Sequence, residues 1–140
     1  LLAQAQEHEM SKSDYLEAKV LDDLFGIAAF TPPATVYVAL LISAPTDAGG
    51  GTEVTGGSYA RAAVTNDATN WTRTGSVVSN SAAITFAQAS GAWGTVGWFE
   101  LRDALTGGNQ LFWGPLTTAR TIVNGDTFSF AIAQLQFTED

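Results

Sequence analysis

The chain has 140 residues, 46% hydrophobic and 11% aromatic, with no cysteine and a formal net charge of -8. This fits one globular domain with a real core, and it excludes disulfide stapling and thiolate metal sites. The basic residues Lys12, Lys19, Arg61, Arg73, Arg102 and Arg120 are scattered, which argues against direct nucleic-acid binding, and no apolar run is long enough to span a bilayer.

Residues 1–12 read as a polar N-terminal lead, in which Met10-Ser-Lys resembles a translation start and no signal peptide is read. Residues 13–26 read as an amphipathic helix. Ser11 with Asp14 resembles a capping box, Leu16, Val20 and Leu24 recur every fourth position beside Tyr15, Leu21 and Phe25, and Gly26 is a natural stop. The apolar stripe must bury, either on the chain's own sheet or on a partner.

Residues 27–140 read as a β-sandwich domain. After Pro32-Pro33 the first strand is expected over 35–42, with both faces apolar and therefore internal. A long Gly-, Thr- and Pro-containing loop, 43–57, leads to a strand over 58–65. The polar stretch 66–80, anchored by Trp71, is expected to add a short edge segment, followed by a strand over 81–86. Residues 93–116 form the centre: two apolar runs joined by Asp103-Ala-Leu-Thr-Gly-Gly-Asn109 make a hairpin with aromatics on both faces. A short strand over 120–123 turns at Asn124-Gly-Asp126 into 127–137, read as the longest strand, with a bulge near Ala133 or Gln134. The fold class is mainly β: an antiparallel, jelly-roll-like sandwich with one N-terminal helix.

The chemistry-bearing residues form no catalytic set. His8, the sole histidine, lies in the polar lead without partners, and Asp22 and Asp23 are helix neighbours that point apart. Asp47 and Glu53 flank Gly49-Gly-Gly51 but lack the oxygen-ligand spacing of a calcium loop. No Gly-x-Ser-x-Gly elbow occurs. The sequence thus points to no enzyme, metal site or cofactor. Among the tryptophans, Trp98 and Trp113 are expected in the core, whereas Trp71 and Trp93 border loops and are the better candidates for stacking a sugar.

Several stretches together resemble a family of small structural proteins of tailed bacteriophages. They are Met10-Ser-Lys-Ser-Asp-Tyr-Leu-Glu, Leu21-Asp-Asp-Leu-Phe-Gly26, Phe30-Thr-Pro-Pro-Ala-Thr-Val-Tyr-Val-Ala-Leu40, Pro45-Thr-Asp, Thr52-Glu-Val54, Gly56-Gly-Ser-Tyr-Ala-Arg61, Ile84-Thr-Phe86, Trp93-Gly-Thr-Val96 and Gly125-Asp-Thr-Phe-Ser-Phe130. Members are often labelled tail-fibre-like, and the arrangement also resembles jelly-roll cement proteins. The resemblance implies a virion protein without catalysis. The expected role is capsid cement: a homodimer or homotrimer on the outer surface of the shell that bridges neighbouring copies of the major capsid protein. Tyr15, Leu16, Lys19, Val20, Asp47 and Glu53 are the expected contacts. The alternative is a tail or tail-fibre-associated module that binds a host surface glycan. Neither reading involves nucleic acid or a membrane.

Overall fold

The computed structural model describes residues 11–139, so His8 and most of the polar lead lie outside the described residues. In chain order the elements are β1 (Ser11–Lys12), α1 (Asp14–Leu24), β2 (Thr35–Ser43), β3 (Thr52–Glu53), β4 (Ala62–Thr65), β5 (Trp71–Thr74), β6 (Val77–Asn80), β7 (Ile84–Thr85), β8 (Gly94–Arg102), β9 (Gln110–Ile122), β10 (Ser129–Phe130) and β11 (Gln136–Thr138). One large antiparallel sheet runs β1-β9-β8-β2, and β3 and β4 share the far edge of β2. The opposing layer is split into a β7-β10 pair and a β5-β6-β11 sheet. The fold is therefore mainly β, sandwich-like, with one N-terminal helix.

The expected central hairpin is β8-β9, and β8 pairs on its other edge with β2. Strand alternation puts Val36, Val38 and Leu40 of β2 beside Phe99 and Leu101 of β8 in the core between the layers. Ala39 and Leu41, also fully buried, face the other way. The core is threaded by a continuous aromatic seam. Trp71 meets Phe137, which meets Phe99 and Phe112; Phe99 meets Phe130, and Phe128, Phe86, Tyr59 and Trp93 continue the line. Most of these pairs are edge-to-face at centroid separations of 5.1–6.5 Å, the arrangement that the ring quadrupoles favour.

Several expectations change in detail. Ser11 and Lys12 of the polar lead are a strand on β9, and the helix cap is Ser13, whose Oγ accepts from Leu16 N at 3.1 Å. Of the 58–65 strand only 62–65 pairs, because Tyr59 and Arg61 turn inward to bond other segments. The 66–80 stretch is a full β-hairpin, β5-β6. β9, at 13 residues, is the longest strand and absorbs the segment expected over 120–123. The run 127–137 is two short strands in different sheets, joined by a turn in which Ala133 adopts φ 63°. The apolar phase shifts between Phe128-x-Phe130 and Leu135-x-Phe137, and that shift marks the transfer between sheets rather than a bulge.

Candidate partner-binding surfaces

The start of α1 is anchored and its end is bare. Ser13 N donates to Leu111 O at 2.9 Å, Ser13 Oγ donates to Gln110 O, and Asp14 N donates to Asp47 O at 2.9 Å. These bonds satisfy helix N-terminal donors and pin the first turn to β9 and the 43–57 loop. Leu16 enters the core and Tyr15 packs on it, with Lys19 Nζ 5.6 Å from the Tyr15 ring centroid. Past that point no described residue covers the apolar stripe: Val20 and Leu21 are exposed, and Leu24, Phe25 and Ile27 are 73%, 70% and 74% exposed.

This bare end is nevertheless well defined. Gly26 takes φ +68°, Gly26 N donates to Asp23 O at 3.2 Å and Ile27 N to Asp22 O at 2.8 Å. That is a Schellman closure, which needs a left-handed residue at the glycine. Asp23 Oδ1 also accepts from Phe30 N at 3.2 Å, fixing the exit from the turn.

The 43–57 loop folds against the outer face of the large sheet. Trp113 Nε1 donates to Asp47 Oδ1 at 2.8 Å, and Gln110 Nε2 donates to Thr46 O at 2.8 Å. Glu53 is held by a fork: Arg61 Nε and NH2 donate to its two oxygens at 2.8 Å each, and Tyr59 OH donates to Oε1 at 2.8 Å. Arg61 NH1 spans to the carbonyls of Ala104 and Gly107 at 2.7 and 2.8 Å, tying the loop to the β8-β9 turn. Burial pushes the Glu53 carboxyl up, but the Arg61 and Tyr59 hydrogen bonds and the Arg61 charge outweigh it, so its pKa lies below the ordinary value. Burial and the neighbouring carboxylate push the Tyr59 hydroxyl far up. Next to this cluster Glu100, fully buried, receives Arg102 Nε at 2.6 Å.

Of the six expected contact residues, then, Val20 is exposed and Tyr15 and Lys19 are half-buried, whereas Leu16 lies in the core. Asp47 and Glu53 direct their carboxylates to Trp113 and to Arg61 with Tyr59, not to a shared point. Among the described residues no three potential ligands cluster as a metal site requires.

The tryptophans fall differently from expectation. Trp93 is 4% exposed, its Nε1 donating to Gly57 O at 2.9 Å, so it is core and not a sugar platform. Gly57 is confined to glycine there, since a Cβ would sit 2.8 Å from Gly91 O. Trp98 and Trp113, expected in the core, are half-buried on the outer face of the sheet.

Trp71 belongs to a feature that sequence reasoning missed. An open groove of about 730 Å³ lies between the β5-β6-β11 sheet and the large sheet, walled by Val36, Trp71, Val78, Leu101, Phe112 and Phe137. Its rim carries Asp67, Arg73 and Glu139. Asp67 is committed to Thr69 and Asn70, and Glu139 pairs with Lys12. Arg73 donates to Gly75 O at 2.8 Å and pairs with no carboxylate among the described residues. The only sequence signal for this groove was the isolated Trp71 in a polar stretch.

A family model described as the podophage GP4 fiber I protein gp80 matches residues 11–138. That span contains every helix and strand described above. No curated protein matches the chain. With the match covering the whole sandwich and its helix, the chain belongs to the podophage GP4 fiber I protein gp80 family, a family of bacteriophage structural proteins.

Proposed function

We propose that this chain is a building module of a virion fibre, working by binding its neighbours and not by catalysis. The family supports a virion structural protein, and its fiber description favours the tail-fibre reading over the capsid-cement one. The observation that carries the binding role is the end of α1, where large apolar side chains stand in the open on a closed, hydrogen-bonded turn. Ordering such a surface in advance lowers the entropy that association must overcome. Binding energy gained only in the assembled particle stabilises that particle by mass action.

A gold-tagged antibody against this chain, viewed on intact particles by electron microscopy, tests the location. Label along the fibres is the expected result. Label spread over the head would overturn the fibre reading and return the chain to the outer shell, against the major capsid protein.

A further inference from the structure

Two apolar surfaces of opposite shape are left uncovered among the described residues. One is convex: Val20, Leu21, Leu24, Phe25 and Ile27 at the end of α1, which together present on the order of 500 Å² of apolar side chain if each large residue carries roughly 150–200 Å². The other is concave, the groove of about 730 Å³ walled by Val36, Trp71, Val78, Leu101, Phe112 and Phe137. No residue of α1 lines that groove, so within one chain the two surfaces do not satisfy each other.

We propose that the end of α1 of one copy inserts into the groove of a second copy, making a homotypic contact of knob and socket. This holds wherever on the particle the chain resides. Three observations select a second copy as the occupant. The socket, at about 730 Å³, is of the size that encloses a small ligand, enough for one or two of the knob's side chains, of which Leu24, Phe25 and Ile27 stand furthest out. The apolar area at the knob is a substantial part of the roughly 800 Å² per partner of a stable interface, leaving the rest to a polar rim. The charges also match: Asp22 and Asp23 flank the knob, and Arg73 stands at the rim with no carboxylate partner among the described residues. Of the acidic rim groups, Glu139 is neutralised by Lys12, which leaves Asp67 as the carboxylate that Arg73 must outweigh at the rim. A patch that fits a pocket on the next identical molecule propagates or closes according to the rotation between copies, which is how one small chain builds a larger assembly.

Sedimentation velocity on the full 140-residue chain, of 14.7 kDa, reads the contact directly. The parent is expected to associate with rising concentration, and Phe25→Asp to weaken association on the order of a hundredfold, as loss of a central apolar anchor does. Because Phe25 is mostly exposed, this variant should melt at the parent temperature, which separates lost docking from lost folding. Arg73→Glu and Asp22→Arg should each weaken association roughly threefold, and the double variant should regain it, since each contact then carries the reversed pair. A parent that stays at one-chain mass at millimolar concentration overturns the proposal. So does a Phe25→Asp chain that associates as tightly as the parent, or a charge reversal that the double variant fails to rescue.

Discussion

In residues 43–61, ionisable side chains turn inward and find partners. Arg61 satisfies two carboxylate oxygens and two carbonyls, Tyr59 bridges Glu53 and Leu40 N, and Asp47 takes the Trp113 indole. In residues 20–27 of the α1 region, apolar side chains turn outward and find none among the described residues. The loop adds side-chain bonds to its backbone pairing with β2, whereas the helix end is closed mainly by backbone bonds from Gly26 and Ile27. Glycine and proline content alone suggests a mobile loop, and periodicity alone suggests a buried helix end. Satisfaction of polar groups, rather than hydropathy, decides which segment is fixed in place.

Removing the fork should have the largest effect on the fold. Arg61→Ala leaves a half-buried carboxylate with only the Tyr59 hydroxyl as donor and two carbonyls with none, and is expected to cost about 3 kcal/mol in urea unfolding. A loss below about 1 kcal/mol would mean that the loop is held by its backbone, as the helix end is. Acid should loosen the same region. Because the folded pKa of Glu53 lies below its ordinary 4.5, its contribution is fully present above that pH and is lost as pH falls through the folded value. The melting temperature should therefore drop on acidification below pH 4.5, and by less in Glu53→Gln, where that carboxylate is gone. At the helix end the expected effect on folding is smallest: Leu24→Ser should change unfolding by no more than about 0.5 kcal/mol. A larger loss would show that Leu24 supports its own domain instead of facing a partner.

How far the sequence can be read follows the same division. Strand β2 and the β8-β9 hairpin are legible because apolar residues on both faces announce an internal strand, and α1 is legible from its four-residue recurrence. The break in 127–137 shows as a phase change, but its cause is remote. The Asn80 side chain donates to Ala131 O at 2.9 Å and Ala82 O at 2.7 Å, and accepts from Leu135 N at 2.9 Å, holding the turn from another strand. Arg61 and Glu53 are only eight positions apart, yet the Arg61 fork is completed by carbonyls more than 40 residues away. Trp93 is misplaced by local reading because its burial depends on Gly57 and Tyr59, and the groove at Trp71 depends on two sheets meeting. Patterns of period report which face an element buries, but not what covers it.

The ion pair between Lys12 and Glu139 brings the first strand and the last one to a single corner of the sandwich. Because β1 belongs to the large sheet and β11 to the opposing one, that corner latches the two layers of the sandwich by charge, where in the core apolar packing joins them.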